Sequence, residues 1–457
     1  MSHLKQQAIE IWQAGVAAVH GRTLVESAVS VGPQAIQLGS HRVALVDFDR
    51  ILVVGGGKFS HLMATGLERK LGDELSQQKQ LSGLVTVPDG SELDLKFVTA
   101  LPCRPPGVNL PTPRVLDATE QMMELLRGAD DRTLVVALIS GGGSALIEHS
   151  PLPLEDIVAA THWLSSQGAN IIELNSVRVA ISDVKGGALA GLANPARLIG
   201  LIVSDVPGDD IRFVSSGPTV PFGENPALKA IEVLERFNVA AASEFPQSVV
   251  QHVQQRAQMK FEASEESRIE NVLVGDASVA LKAAMERARG MGFEVATKDP
   301  LADAANCQQV GEAAAEWCQQ NGGSAICGVS IGEPTATPGP DAGQGGRNQH
   351  AVLVAINTLL SEVNFGETDF GEFEFCFLSG GTDGEDGNTT AAGGIFTSQE
   401  LASLAGDKRQ IGQAAQAAAG FDSHTFLTQA GMTFESGPTQ TNVCDLRVLL
   451  WRRKNAN

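Results

Sequence analysis

Short glycine clusters that carry a cation or a carboxylate recur along this chain. The first is Gly55-Gly56-Gly57-Lys58, which follows the apolar run Ile51–Val54. Backbone N–H groups at such a turn, with one ammonium beside them, would face an anion. The segment is not a P-loop, because Phe59 stands where a magnesium-binding Ser or Thr would be, and Ser60 spoils the third glycine of a dinucleotide fingerprint. A tight turn with a solvated lysine explains the segment equally well.

A second cluster, Ser140-Gly141-Gly142-Gly143-Ser144, follows the apolar run Thr133–Ile139. Successive glycines expose backbone N–H groups that side chains would otherwise shield, which favours a phosphate-binding loop over a flexible turn. The segment lacks the G-x-S-x-G pattern of a hydrolase nucleophile.

Two cations and an amide follow within eleven residues: Asn175, Arg178 and Lys185. Arg178 could hold a carboxylate or phosphate with two parallel hydrogen bonds, whereas Lys185 would act as a point charge. A solvated helix face is the alternative for the lysine. Farther along, Asp205 and Asp209 follow the buried-looking run Leu198–Val203, and carboxylates there suit Mg²⁺ or an attacking hydroxyl. Aspartates also cap turns for structural reasons alone.

The second half of the chain repeats this style. Arg347 stands on a glycine loop where a helical pattern begins, a place from which an arginine can stabilise charge on a transferring phosphoryl group. Other candidates for phosphate or substrate contacts in this half are Glu333, Gly345, Gly346, Asn348, Thr382 and Asp383.

The elements between the clusters predict an α/β fold with two domains. Apolar strand, polar loop and helix alternate, and continuous apolar strands are typical of a parallel sheet covered on both faces. The polar stretch Ala241–Glu270, with a hinge at Glu262–Ser267, places the boundary between domains at 1–265 and 266–457. A strand at Asn271–Val274 would then open the second domain. Ligands bind at the carboxyl ends of parallel strands, so the glycine clusters of the two domains are expected to face one cleft.

Composition excludes several classes of protein. The 457 residues carry a formal charge of −20, so nucleic acid and anionic membrane surfaces are poor partners. The six cysteines show no zinc or disulfide spacing, and the first twenty residues lack the order of a signal peptide. No apolar run is long enough to span a bilayer. We therefore expect a cytoplasmic protein that acts on a small molecule. Two domains that each carry glycine loops with a cation and a carboxylate are typical of a small-molecule kinase. The sequence leaves open whether the protein forms a homodimer.

Taken in order, the clusters resemble the glycerate 2-kinase family, whose chains are also described as putative hydroxypyruvate reductases. The resemblance runs from about Val19 to Leu450, and its most specific segments are Ser140–Ala145, Ile181–Ala190, Val203–Asp209, Ser216–Thr219, Gly345–Gln349, Gly381–Gly393 and Gly437–Leu446. It implies ATP- and Mg²⁺-dependent phosphorylation of the 2-hydroxyl of D-glycerate, giving 2-phosphoglycerate. It also implies a Rossmann-like, three-layer N-terminal domain with a parallel sheet, a C-terminal α/β domain and an active-site cleft between them.

The resemblance makes Lys58 and Arg347 the leading catalytic cations. With the arguments above, the expected site has Lys58, Arg347 and Asp205 as catalytic residues and Asp205 and Asp209 as metal ligands. Substrate would contact Asn175, Arg178, Lys185, Glu333 and Asn348. Phosphates would contact Gly56, Gly57, Ser140, Gly141, Gly142, Gly143, Ser144, Gly345, Gly346, Thr382 and Asp383.

Three departures from the family pattern stand on the substrate side. Phe59 and Ser60 replace two small residues after Gly-Lys. Arg178 is followed by Val179–Ser182 where the family has Lys-His-Leu-Ser, and Leu101–Pro105 replaces a Gly-His-Pro signature. These departures widen the expected substrate from glycerate to a related hydroxy acid. Two alternatives stay open: an NAD(P)-dependent hydroxypyruvate reductase, and a ligand-binding relative without turnover.

Overall fold

A computed structural model describes residues 2–106, 108–206, 208–260, 268–320, 325–362 and 373–453. The chain forms two compact units, which we call the N-terminal unit (Gly21–Asp276) and the C-terminal unit (Met1–His20 with Ala277–Asn457). Each unit combines helices with a six-stranded sheet, which confirms the predicted α/β class with two domains. The predicted hinge at 262–267 lies outside the described residues.

The N-terminal unit contains two sheets. Its strands are β1 (Val29–Val31), β2 (Ala35–Leu38), β3 (His41–Ala44), β4 (Arg50–Gly56), β5 (Ser82–Pro88), β6 (Val98–Arg104), β7 (Thr133–Ile139), β8 (Arg197–Val203) and β9 (Ile269–Gly275). Its α-helices are α2 (Gly21–Ala28), α3 (Ser60–Gln78), α4 (Pro113–Arg127), α5 (Leu154–Ser166), α6 (Ile171–Ala180), α7 (Ala188–Gly191), α8 (Pro226–Arg236) and α9 (Gln247–Gln258), with short 3₁₀ turns at Leu45–Asp47, Gly143–Ala145, Val214–Ser216 and Val239–Ala241.

The main sheet of this unit is parallel throughout, in the order β6-β5-β4-β7-β8-β9, while β1, β2 and β3 form a small antiparallel sheet. Its central strand β7 is buried at every residue, as its unbroken apolar sequence predicts. The strand order reverses at the adjacent pair β4 and β7, because the chain leaves these strands toward opposite edges of the sheet. Such a switch point opens a crevice at the carboxyl ends of the two strands.

The C-terminal unit is built on a mixed sheet in the order β10-β11-β15-β12-β13-β14, in which β10 and β11 are parallel and the other pairs are antiparallel. The strands are β10 (Glu294–Val295), β11 (Ala325–Gly332), β12 (Phe373–Gly381), β13 (Gly393–Thr397), β14 (Thr433–Phe434) and β15 (Asp445–Arg453). The helices are α1 (His3–Ala18), α10 (Ala277–Gly290), α11 (Cys307–Gln320), α12 (Arg347–Glu362), α13 (Ser398–Ala405), α14 (Lys408–Ala419) and α15 (Ser423–Ala430).

Helices cover both faces of this second sheet. Along β15, Val448 belongs to the same hydrophobic cluster as Trp12 of α1, whereas the next residue, Leu449, belongs to the cluster that contains Leu359 of α12. Successive side chains of a strand point to opposite faces, so the alternation accounts for two separate hydrophobic clusters. The first helix of the chain is thereby part of the C-terminal unit.

Two features of the domain organisation differ from the sequence-based expectation. The strand at Asn271–Val274 was expected to open the second domain, but β9 pairs in parallel with β8, with Leu201 opposite Val272. The division between units therefore follows Asp276 instead of residue 265, and residues 1–20 join the C-terminal unit. Chain order alone cannot reveal an edge strand that returns to the first sheet after a long polar stretch. Among the described residues, no helix combines the length and apolar character that a membrane span requires.

Candidate functional site

Two glycine loops meet at the switch point of the N-terminal unit. Lys58 N–H donates to the carbonyl of Gly141 (2.9 Å), and Ser140 N–H donates to the carbonyl of Gly56 (3.4 Å). The segments 55–58 and 140–144 thus form one double loop at the carboxyl ends of β4 and β7. The structure thus brings together the two clusters that the sequence singled out independently. Gly57, in the first of them, donates its N–H to the carbonyl of Thr86 on the neighbouring strand β5.

Phe59 and Ser60, which depart from the family pattern, serve the interior of the protein. Phe59 is fully buried, and its N–H donates to Ser140 Oγ (3.3 Å). The Ser60 hydroxyl donates to the carbonyl of Leu138 (3.1 Å). These two residues therefore hold the double loop in place through contacts on its buried side.

Asp205 lies directly against the second glycine loop. A Cβ built on Gly141 would stand only 2.1 Å from Asp205 Oδ2, so only a residue without a side chain fits there. Asp205 follows β8, the strand next to β7, and its carboxylate is partly exposed. The predicted carboxylate is therefore beside the predicted phosphate loop.

Lys58 lies beside Gly142, the exposed middle of this loop. Gly142 has φ +79°, a left-handed conformation that favours glycine, and the Cβ position that it leaves open is 3.1 Å from Lys58 Cγ. Both residues are partly exposed. The middle of this loop is thus flanked by the stem of a cationic side chain.

A hydroxyl network joins the loop to Asn175. Ser144 Oγ lies 2.9 Å from Ser216 Oγ, and the Ser216 hydroxyl donates to Asn175 Oδ1 (3.1 Å). The Ser215 hydroxyl donates to the carbonyl of Ser140 (2.8 Å). Ser215 and Ser216 both have positive φ (54° and 61°), a conformation that costs energy for residues other than glycine and recurs at functional sites.

Lys185 has a different environment from the one expected of a substrate-binding cation. Its side chain is fully buried and pairs with Glu148 (2.5 Å), while also donating to the carbonyl of Ile147 (2.9 Å). Burial lowers the pKa of Lys185, and the charge and hydrogen bond of Glu148 partly restore it. The Ser182 hydroxyl donates to the other oxygen of Glu148 (2.7 Å). Lys185 is therefore an internal support of the site, a role that the sequence did not suggest.

The two remaining candidates of this unit have fewer contacts. Arg178 is half-buried; burial lowers its pKa and the charge of Glu148 opposes that shift. Asp209 has φ 54° in the turn after Asp205, and its N–H donates to the carbonyl of Val206 (3.1 Å). Within the described ranges, no group of three or more His, Cys, Asp or Glu side chains is arranged to hold a metal. The ligand roles of Arg178 and Asp209 stay predictions.

A second cluster surrounds Arg347 at the start of α12 in the C-terminal unit. Its Nε and Nη2 donate to the two carboxylate oxygens of Asp445 (2.6 and 2.9 Å), and its Nη1 pairs with Glu333 (2.9 Å). Burial lowers the pKa of Arg347, but the hydrogen bonds and charge of Asp445 outweigh burial and the pKa is raised. Asp445 is buried, whereas Glu333 is exposed. Of the two partners, Glu333 is the one that a ligand could displace.

Asp386 holds the glycine loop that presents Arg347. Its carboxylate accepts hydrogen bonds from the backbone N–H groups of Asn348 (3.0 Å) and Gln349 (2.8 Å), in the manner of a helix cap. A Cβ on Gly346 would stand 2.3 Å from Asp386 Oδ1, and one on Gly345 would stand 2.1 Å from Ser423 Oγ. The loop is therefore packed tightly against its supports.

The other candidates of this unit take part in the same framework. The amide oxygen of Asn348 accepts from Ser379 (2.6 Å), and the buried hydroxyl of Thr382 donates to the carbonyl of Cys444 (2.6 Å). Asp383 Oδ1 accepts from the N–H of Glu385 (3.2 Å). These contacts support the loops, and the predicted phosphate and substrate roles of these residues stay predictions.

Sequence reasoning missed the residues that anchor the cations: Glu148, Asp386 and Asp445. Asp386 was visible within the glycine-rich stretch Gly380–Gly387. Glu148 and Asp445 have no local signal, because their partners lie 37 and 98 residues away. Such pairings form only when distant segments of the chain meet in the folded protein.

Comparison with known families agrees with this architecture. Residues 7–254 match the family described as a domain of unknown function (DUF4147), and residues 326–445 match the MOFRL family. Human glycerate kinase is 30% identical over an alignment that covers 98% of this chain and 93% of that protein. The chain belongs to the glycerate kinase family. This confirms the resemblance that the ordered glycine clusters indicated.

Other members of the glycerate kinase family extend the likeness. A protein of Agrobacterium vitis named as a putative hydroxypyruvate reductase is 31% identical, with 88% of this chain and 87% of that protein covered. The crystal structure of Thermotoga maritima glycerate kinase superposes with a TM-score of 0.77 at 27% identity, covering 98% of this chain and 99% of that one. The likeness therefore extends over both α/β units of the glycerate kinase fold.

Proposed function

We propose that this protein is an ATP-dependent kinase that phosphorylates the 2-hydroxyl of D-glycerate or a close hydroxy-acid relative. Family membership supports phosphoryl transfer, and glycerate is the substrate named for its relatives. The observation that carries the proposal is the double loop at the switch point, where Lys58 and Asp205 both border the glycine run 141–143. A cation and a carboxylate beside a glycine loop are what phosphoryl transfer requires of a protein.

In the proposed reaction, the hydroxyl oxygen of the acid attacks the γ-phosphorus of ATP, the bond to the β–γ bridging oxygen breaks, and ADP leaves. Lys58 offsets the negative charge on the transferred group, a role supported by its side-chain stem, which lies beside Gly142 of the proposed phosphate loop. Asp205 stands near enough to the loop to orient the hydroxyl and accept its proton. The family resemblance also implies a catalytic role for Arg347, the leading cation of the C-terminal unit.

Mg²⁺ is part of this proposal. Kinase sites usually hold it with one or two carboxylates plus the phosphates of the nucleotide, so a site does not need three protein ligands. The carboxylate of Asp205 against Gly141 fits such a donor set, and Asp209 is the second candidate. The metal would neutralise charge on the phosphate oxygens when bound.

Binding roles follow from the same geometry. The loop residues Ser140–Ser144, together with Gly56 and Gly57, are proposed to hold phosphate oxygens. Asn175 and Arg178 are proposed to hold the acid, since Asn175 joins the loop through Ser216 and Ser144. Lys185 supports them from within, through Glu148.

Three finer expectations also remain proposals. The order β6-β5-β4-β7-β8-β9 corresponds to 3-2-1-4-5-6 in chain order, which supports classing the N-terminal unit as Rossmann-like. The six cysteines, all within the described residues, form no disulfide, which suits a cytoplasmic protein. A homodimer stays a prediction.

The deciding experiment is a pair of coupled assays on the purified protein. ADP release with ATP, Mg²⁺ and D-glycerate supports the kinase, and enolase added without phosphoglycerate mutase will report only the 2-phosphorylated product. Oxidation of NADPH or NADH by hydroxypyruvate, with no ADP release from any hydroxy acid tested, would establish the reductase instead. Nucleotide binding with no turnover of either kind would establish a ligand-binding relative.

A further inference from the structure

Arg104 is a buried arginine at the edge of the N-terminal site. It is the last residue of β6 and is only 1% exposed. Within the described part of the chain, its Nε and Nη1 atoms have no hydrogen-bond partner. Burial lowers the pKa of Arg104, and no carboxylate among the described residues offsets that effect.

Such an arrangement is costly for a protein. A buried charge without a partner loses its hydration and receives no compensating interaction, which is why buried arginines are normally paired. The buried Lys185 in the same unit follows that rule through Glu148. Arg104 does not, and an unsatisfied buried group calls for an explanation in terms of a ligand, a water or a functional strain.

The guanidinium is directed at Gly142. The Cβ position that Gly142 leaves open is 3.4 Å from Arg104 Nη2 and 3.1 Å from Lys58 Cγ. The guanidinium of Arg104 and the stem of Lys58 therefore approach the same side of Gly142, so an anion bound at this part of the loop would lie near the guanidinium. Gly142 and Lys58 are partly exposed, whereas Arg104 is buried beside them.

We infer that Arg104 binds an oxyanion of the reactants beside Gly142. This oxyanion supplies the partner that the buried guanidinium lacks. The planar guanidinium suits a carboxylate or a phosphate equally. Both occur in the proposed reaction, as the carboxylate of the hydroxy acid and as the phosphates of the nucleotide. The inference depends on the proposed function for the identity of these reactants, but not for the existence of the anion site.

Arg104 also stands within the segment Leu101–Pro105, where the sequence departs from the Gly-His-Pro pattern of its family. An arginine there adds a permanent positive charge to the site. The departure therefore places a cationic side chain in this segment, and not only an apolar one.

Calorimetric titration of the full-length protein tests this inference without requiring turnover. The titrants are D-glycerate, a non-hydrolysable ATP analogue with Mg²⁺, and inorganic phosphate, applied to wild type, Arg104→Met, Arg104→Gln and Arg104→Lys. Arg127→Met is the matched control, because Arg127 is an exposed arginine of the same unit with only a surface partner, Glu120.

We expect Arg104→Met and Arg104→Gln to weaken binding of at least one titrant about 10- to 100-fold, the loss of a charge-assisted hydrogen bond, with Arg127→Met unchanged. Weakening confined to D-glycerate assigns the oxyanion to the carboxylate, and weakening confined to the ATP analogue assigns it to a phosphate. Arg104→Lys keeps the charge but not the fork, so its affinity should lie between wild type and Arg104→Met.

Thermal unfolding without ligand separates this role from a structural one. Removing an unpaired buried charge should leave the midpoint of Arg104→Met equal to or above that of wild type. Affinities within about twofold of wild type for all three titrants in the Met and Gln variants would overturn the inference. If wild type binds phosphate but neither reactant, the proposed function fails while the phosphate titration of the variants still decides the role of Arg104.

Discussion

The two units differ in how the guanidinium groups of their arginines are bonded. In the C-terminal unit, all three nitrogens of the Arg347 guanidinium contact carboxylates, two at Asp445 and one at Glu333. In the N-terminal unit, two nitrogens of the Arg104 guanidinium have no partner among the described residues. The protein's own carboxylates therefore hold Arg347 in position before any ligand binds. Arg104, by our inference, gains a partner only when an anion binds.

The difference shows how an acidic protein can receive anionic reactants. A formal charge of −20 repels them at a distance, so attraction must come from a few local groups. A cation already neutralised by buried carboxylates contributes geometry more than charge. Arg104, whose Nε and Nη1 have no partner among the described residues, contributes charge beside Gly142. Five single substitutions test this difference between the units.

The largest effect is expected from Lys58→Met. Removal of an ammonium that stabilises the transferring phosphoryl group should lower kcat at least about a thousandfold, by analogy with other phosphoryl-transfer cations. The thermal midpoint should stay near that of wild type, because Lys58 is partly exposed. Steady-state kinetics with ATP and D-glycerate provide the measurement. A variant with normal kcat would remove Lys58 from the chemistry.

Breaking the buried pair in the N-terminal unit should cost the most stability. Glu148→Gln leaves the fully buried Lys185 without a carboxylate, so the free energy of unfolding should fall by about 3–5 kcal/mol in a urea titration. The control is the double variant Glu148→Leu with Lys185→Met, in which the buried charges are replaced by apolar groups of similar size and most of the stability should return. A double variant as unstable as the single one would show that the pair is not the cause.

Asp386 gives a pH-dependent effect. Burial raises the pKa of Asp386 to about 6, although hydrogen bonds from Gln349 and Asn348 oppose that shift. A raised pKa means that the folded state retains the proton after the unfolded state has lost it. Stability from this group is therefore present below pH 4 and is lost as the pH rises to about 6, by up to roughly 3 kcal/mol.

Comparison of wild type with Asp386→Asn isolates this contribution, because the asparagine does not titrate. The difference in unfolding free energy between the two proteins should change between pH 4 and 6 and be constant above pH 7. A difference that is flat across this range would show that the carboxylate is already ionised at pH 4, held so by its four hydrogen-bond donors.

The local parts of this architecture could be predicted from the sequence, and the distant pairings could not. β7 has the bounds of its apolar run, Thr133–Ile139, and both glycine loops lie at strand ends as expected. Periodicity and glycine placement are local signals. That β9 belongs to the first sheet, or that Lys185 faces Glu148, depends on register and on side chains that meet only after folding. For the same reason, the sequence did not predict that Asp445 binds Arg347, or that Arg104 Nε and Nη1 have no partner among the described residues.

The smallest effect, and the sharpest contrast, comes from the two partners of Arg347. Asp445→Asn removes the bidentate acceptor from a buried position, so unfolding free energy should fall by about 2 kcal/mol and kcat should fall with it, because Arg347 loses its fixed orientation. Glu333→Gln removes an exposed partner of the same guanidinium and should change stability by less than about 1 kcal/mol. Chemical denaturation and steady-state kinetics of both variants give the comparison. If Glu333→Gln were the more damaging of the two, the exposed carboxylate, and not Asp445, would be the anchor of Arg347. The contrast between a fixed Arg347 and an unpartnered Arg104 would then lose its basis.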